Sequence, residues 1–158
     1  MIPPRRMRRA ALSSAALALL AAGCLGGGSA TSSSRPQLTR AQYVKAAGIV
    51  CRRYQQRIIG LGASTDLSEL ADQGAKAVAL EREEVKQLLR LAPPDADVEA
   101  IDRMLKAVES ATVAGDALVA AARDHDASGV ANAAETLRSQ LAAANRLAKP
   151  FGLDVCAR

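Results

Sequence analysis

Apolar residues recur in this sequence at alternating spacings of three and four residues, and this period constrains the fold more than any other feature. It appears in four segments, and no segment alternates apolar and polar residues in the manner of a strand. Spacings of three and four place side chains along one face of an α-helix. The sequence therefore predicts an all-α protein. The first apolar stripe takes in Val44, Ala47, Cys51, Tyr54, Ile58 and Leu61.

Capping residues mark the starts of the first two predicted helices. The sequence TRAQ at 39–42 matches the capping box, in which a threonine oxygen accepts a backbone N–H and a glutamine side chain reaches back. The sequence DLSE at 66–69 has the same pattern. The first helix is predicted to end at Gly60 and Gly62, and the second at about Ala92, before a pair of prolines.

Two further helices follow in the pattern. The third is predicted to begin at Pro94 or Asp95 and to fade near residues 123–126. The fourth is predicted from about Ala127 to Phe151, where Gly152 supplies a left-handed cap. Because helices of this length joined by short loops pack antiparallel, residues 39–158 are predicted to form an up-down-up-down four-helix bundle.

Small residues are frequent in the stripes, and aromatic residues are few. Alanine or glycine occupies stripe positions such as Gly74, Gly115 and Ala144, so we expect closely approaching helices and no large ligand cavity. The whole chain has two tyrosines, one phenylalanine and no tryptophan. Because bases and sugars are recognised largely by aromatic stacking, we expect no nucleic-acid partner.

A basic and then apolar stretch opens the chain. Residues 1–9 include four arginines and no acid, and residues 10–22 form an apolar run that is interrupted only by Ser13 and Ser14. This run is too short to cross about 30 Å of hydrocarbon as a helix, so residues 1–23 are predicted to be an export signal. An ordinary secretory signal would leave Cys24 as a free thiol.

Cys24 follows two small residues at the end of this run, and here the chain resembles bacterial lipoproteins. Their lipobox has a leucine-like residue and two small residues before the lipidated cysteine, whereas here Ala21 stands three places before Cys24 and Leu20 one place earlier. The resemblance implies acyl chains such as palmitate on Cys24, anchoring the protein at the extracytoplasmic face of the cell membrane. Residues 24–38 are then predicted to be a flexible tether with a root-mean-square span of roughly 20 Å.

Basic residues are concentrated near this predicted anchor. The formal net charge is +5, but the arginines of residues 1–9 account for four of these charges. Residues 24–65 hold six basic residues and no acid, whereas residues 66–158 hold eleven basic and sixteen acidic residues. The sequence therefore predicts that the basic first helix contacts an anionic lipid or a wall polymer.

Glu81 is a candidate site residue because its carboxylate falls inside an apolar stripe. A buried carboxylate is costly unless it is paired, and we expect a buried ion pair with Arg53 or Arg57 of the first helix. A ligand contact is the alternative. His125 lies between two aspartates, but consecutive residues at a helix end point in different directions. We therefore expect no metal, no cofactor and no catalytic residue.

Three cysteines are an odd number for an exported protein. If Cys24 is lipidated, Cys51 and Cys156 remain to form a disulfide. If the first helix ends level with the start of the fourth, a gap of roughly 21 Å separates Cys51 from the end of the fourth helix, at 1.5 Å per residue. We therefore expect residues 152–156 to be extended to close this gap.

The two cysteines also carry a second resemblance. The segments AQYVKAAGIVCRRY and FGLDVC are similar to segments of small uncharacterised exported helical proteins of high-GC Gram-positive bacteria. The resemblance covers most of residues 39–156 and implies a shared fold but no activity. The sequence thus predicts a lipid-anchored binding or interaction module of the cell envelope, not an enzyme, with an envelope protein as partner. The alternative is an accessory or sensor domain that binds a small ligand or ion between its helices.

Overall fold

Four α-helices form the framework of the protein in the computed structural model, which describes residues 36–64 and 66–156. The helices are α1 (Arg40–Ile59), α2 (Leu67–Leu89), α3 (Val98–Arg123) and α4 (Ala127–Ala148), and no strand occurs within these two ranges. The predicted all-α fold is confirmed, and the up-down order of the helices stays a prediction. The predicted export signal, Cys24 and most of the predicted tether lie outside the described residues.

Hydrogen bonds from side chains fix the starts of α1 and α2. The backbone N–H of Gln42 donates to the Thr39 hydroxyl (3.3 Å), and the Thr39 N–H donates to the Gln42 side chain (2.9 Å), so the first capping box is confirmed. Asp66 accepts from the Glu69 N–H (2.9 Å). The Glu69 carboxylate accepts a hydrogen bond from the Ser64 hydroxyl (2.6 Å). Glu69 therefore does not reach back to the Asp66 N–H, and only one of the two hydrogen bonds of the second capping box forms.

Prolines follow shortly after the ends of α2 and α4. The α2 helix stops at Leu89, three residues before the predicted Ala92, and the N–H groups of Arg90 and Leu91 then bond back three residues to Gln87 and Leu88, as in a 3₁₀ turn. The α4 helix stops at Ala148 and continues as a 3₁₀ turn that contains Pro150. Gly152 then adopts the predicted left-handed conformation, with φ of 70°.

Close approach of α2 and α3 depends on two glycines. A Cβ atom on Gly74 would lie 2.9 Å from a methyl carbon of Val119, and a Cβ atom on Gly115 would lie 2.9 Å from a methyl carbon of Val78. A valine side chain of the opposite helix thus packs directly against each glycine. The two contacts pair early α2 with late α3, which is the arrangement of antiparallel neighbours. The close helix approach predicted from the small residues is confirmed.

We predict that Gly115→Ala lowers the free energy of unfolding by about 1–2 kcal/mol, because overpacking outweighs the roughly 1 kcal/mol gained in helix propensity. Urea unfolding followed by circular dichroism measures this change. In a Val78→Ala background the methyl group that clashes is gone, and the same substitution should become neutral or stabilising. An equal loss in both backgrounds would show that the Gly115–Val78 contact is not the cause.

A cluster of buried hydrophobic side chains joins α1 to the other helices and to the C-terminal tail. Its members are Tyr43, Ala47, Cys51, Leu88, Ile101, Met104, Leu105, Ala148 and Leu153. Tyr43, at the edge of the predicted first stripe, is fully buried, whereas Val44 is half-buried. At the same end, the Leu38 N–H donates to the carbonyl of Ala92 (3.0 Å). The sequence places Leu38 in the predicted tether, yet the residue is bonded to the loop after α2.

Candidate functional site

The outward face of α1 is the most basic surface that the sequence singles out. We define it by Lys45, Ile49, Arg52, Arg53 and Gln56, which are all exposed to solvent. Their spacing of four, three, one and three residues places them on one side of the helix. The buried residues of α1 lie on the opposite side, against the core. The α1 helix thus presents a positive strip to solvent along its length.

Apolar side chains lie within this positive strip. Ile49 is 46% exposed, and Ile59 at the C-terminal end of α1 is 70% exposed. The α1 helix contains no acidic residue among its 20 residues. Cations that surround exposed apolar side chains are the combination by which a helix lies on an anionic membrane surface. The outward face of α1 is therefore the candidate functional site.

Glu81, Arg53 and Arg57 occupy neighbouring helices. Glu81 is half-buried on α2, and both arginines are exposed on α1. The guanidinium of Arg57 lies over the ring of Tyr54, with 5.5 Å between its central carbon and the ring centroid. Arg57 thus contacts a side chain of its own helix. The predicted ion pair between Glu81 and these arginines stays a prediction.

Glu84 is the buried carboxylate of α2, which the sequence interpretation missed. Its residue exposure is 4%. With Met104, Asn145 and Cys156 it lines an interior cavity of about 30 Å³, which is large enough for a water molecule. The spacing of Ala77, Glu81, Glu84 and Leu88 is four, three and four, so the stripe itself would have placed Glu84 inside.

The segment around His125 connects α3 to α4. His125 is exposed and has a φ of 52°, a left-handed conformation that histidine tolerates better than most residues. Asp126 caps α4, and hydrogen bonds from the Gly129 N–H and from Ser128 hold the pKa of its carboxyl below the usual range. No group of three or more His, Cys, Asp or Glu residues in the described part of the chain could hold a metal ion.

Cys51 and Cys156 form a disulfide in the structure, with their Cα atoms 5.1 Å apart. The expected extended tail is wrong, because Asp154–Cys156 form a 3₁₀ turn. Gly152 reverses the chain, and Leu153, whose exposure is 0%, inserts into the core. The prediction assumed that the end of α1 is level with the start of α4. The end of α4 lies closer to Cys51 than this assumption allows, so a compact turn is enough to join them.

We predict that Cys156→Ser lowers the free energy of unfolding by up to about 4.7 kcal/mol, the loss of chain-entropy stabilisation for a loop of this length. The bond spans 105 positions of sequence. Thermal unfolding without reductant measures the loss. Reduction of the wild type should lower the melting temperature by a similar amount, and Cys24→Ser serves as the control that leaves it unchanged. Two free thiols in unreduced, natively exported protein would contradict the prediction.

None of the helices within residues 36–64 and 66–156 combines the length and the apolar character needed to cross a membrane. The chain matches no protein-family model, no curated protein and no solved structure.

Proposed function

We propose that this chain is a lipid-anchored module at the extracytoplasmic face of the cell membrane, whose role is binding rather than catalysis. The pairing of Cys51 with Cys156 is the single observation that supports this most directly. A structural disulfide persists in oxidising compartments outside the cytoplasm. The same bond uses two of the three cysteines of the sequence and leaves Cys24 as the residue to be acylated.

Acylation of Cys24 accounts for membrane attachment in this proposal. Each buried methylene of an acyl chain contributes about 0.8 kcal/mol, so two or more chains hold a protein stably where one is marginal. An export signal that ends at residue 23 places Cys24 at the N-terminus of the mature chain. The folded part then begins 13 residues after the anchor, at Gln37.

We predict that Cys24→Ser releases the protein from the membrane into the medium or periplasm, because the acyl chains are its proposed anchor. Fractionation of cells and immunoblotting measure the distribution. Cys156→Ser is the matched control, since it also removes a thiol but should leave the protein in the membrane fraction. Retention of Cys24→Ser in the membrane, together with a wild-type mass that contains no lipid, would contradict the proposal.

The outward face of α1 supplies the second contact in the proposal, with an anionic lipid headgroup or a wall polymer. Lys45, Arg52 and Arg53 each contribute about 1 kcal/mol where they reach an anionic surface. Ile49 lies among them and adds apolar contact. Because screening by salt shortens electrostatic attraction, such binding weakens as ionic strength rises.

We predict that a shortened chain that begins at Gln37 sediments with vesicles of phosphatidylglycerol and loses this association in high salt. Arg52→Gln/Arg53→Gln should weaken binding about 30-fold, from about 1 kcal/mol per residue. Arg123→Gln/Arg146→Gln is the control, because it removes the same charge from α3 and α4. Equal weakening by both pairs would show that net charge, not the outward face of α1, drives the association.

An envelope protein that binds the remaining helix faces is the partner in this proposal. A second candidate function is a sensor or accessory domain that binds a small ligand between its helices. One specific observation favours it: the buried Tyr43 hydroxyl has no hydrogen-bond partner within the described residues.

A further inference from the structure

An open groove of about 300 Å³ lies between α2 and α3. Val85 and Thr112 are its buried lining residues, whereas Leu89 and Val113 of the same lining are 57% and 67% exposed. A single exposed apolar side chain is common on protein surfaces. Two that share one groove indicate a surface that binds another molecule.

Charges of opposite sign line the two sides of this groove. Arg82 and Lys86 belong to α2, and Glu109 belongs to α3. Arg82 is paired with Asp116 of α3 across the groove. Lys86 and Glu109 are both exposed, and neither forms an ion pair with any residue of 36–64 and 66–156. One cation and one anion of the groove are therefore available to another molecule.

The two glycine–valine contacts fix which residues of α2 and α3 lie at the same height along the groove. Val78 of α2 packs on Gly115 of α3, and the second contact keeps the same antiparallel register. Lys86 comes eight residues after Val78, and Glu109 comes six residues before Gly115. Lys86 and Glu109 therefore differ in height by two residues, which is about 3 Å along a helix.

The mixture of signs restricts what can cover this groove. An anionic membrane surface attracts Lys86 but is repelled by Glu109, and a basic partner has the opposite difficulty. A second copy of this chain carries the same two charges at nearly the same height. It is complementary to the groove if each α2 is placed over the α3 of the other copy.

We propose that two copies of this chain form a homodimer through the α2–α3 groove, related by a twofold axis parallel to the helices. In this arrangement Lys86 of each copy faces Glu109 of the other, and Leu89 and Val113 are covered. An axis across the helices would instead place α2 over α2 and oppose like charges. The parallel axis also puts the start of α1 at the same end in both copies, as in two copies anchored in one membrane, although the interface does not depend on an anchor.

The face formed by α2 and α3 is comparable in size to specific interfaces. The α2 helix has 23 residues, so it is about 34 Å long. Two adjacent helices, each about 10 Å in diameter, give a face of about 700 Å² per copy. Standard interfaces between proteins bury about 800 Å² per partner.

Lys106 is an exposed cation of α3 outside the groove lining. It lies nine residues before Gly115 and is therefore level with Gln87, nine residues after Val78. In the dimer it meets Gln87 of the other copy and, one turn away, Glu83, which accepts a hydrogen bond from Gln87 (2.7 Å). Lys106 thus has a carboxylate within reach.

Charge reversal tests this arrangement, because each variant should fail alone and the two should associate with each other. Two differently tagged full-length copies are co-expressed and isolated through one tag, from whichever cell fraction holds the protein. Lys86→Glu with itself, or Glu109→Lys with itself, should associate about 10- to 30-fold more weakly than wild type. Lys86→Glu with Glu109→Lys should restore association, because every contact again joins opposite charges. Arg146→Glu and Glu135→Lys make the same charge changes on exposed residues of α4 and should alter nothing.

The apolar part of the interface has its own matched control. Val113→Asp should weaken association, whereas Ile59→Asp, at a similar exposure on α1, should not. Thermal unfolding of each variant checks that it is folded. A wild-type chain that does not co-purify with itself and sediments as a monomer at about 100 µM, where only very weak dimers dissociate, would overturn the proposal. Equal association by every combination, or no association between Lys86→Glu and Glu109→Lys, would also overturn it.

Discussion

The bond between Cys51 and Cys156 is the constraint on which the position of α1 depends. The α1 helix contacts α2 along one side and the Asp154–Cys156 turn along another, and the disulfide joins it covalently to that turn. Val155 lies against Gly48 at the distance of an ordinary methyl contact, 3.4 Å from where a Cβ atom would stand. The tail thus covers α1 as well as linking to it. A bundle whose core is rich in alanine has little else of comparable strength to hold its first helix.

The many alanine and glycine residues have two consequences: helices pack closely together, and the core contains few large side chains. Glycine–valine contacts bring α2 and α3 together, while the largest fully buried side chains are Tyr43, Leu153 and Cys51. All three lie where α1 meets the tail. This junction therefore contains the bulky core residues, whereas the α2–α3 contact is fitted around small ones. A tyrosine used as a bulky core residue also buries its hydroxyl group, which has no hydrogen-bond partner within the described residues.

Much of this fold is predictable from sequence because its determinants are local. The Thr39 capping box, the Asp126 cap and the left-handed Gly152 depend on neighbouring residues, and the structure contains all three. The burial of Tyr43 was also predictable, because it stands four residues before Ala47 on the same face of α1, although the predicted stripe took in Val44 instead. The predicted tail conformation is wrong because the relative heights of helices are set by packing rather than by period.

The outward face of α1 could be predicted from sequence only in part. Its cations are apparent from sequence, but their exposure beside Ile49 is a property of the folded chain. What the sequence could not reveal at all is that residues 37 and 38, which it assigns to the tether, are bonded to the fold. Gln37 is hydrogen-bonded to Asp95, and Leu38 to Ala92, in the segment that joins α2 to α3.

The chain therefore joins the fold at the α2–α3 loop, immediately before the capping box that starts α1. Because Leu38 is bonded there, at least this residue of the predicted tether belongs to the folded part of the chain. The Leu38 bond at the start of α1 and the disulfide at Cys51 hold the helix at two points. The direction in which the outward face of α1 points is therefore set by the fold rather than by the tether.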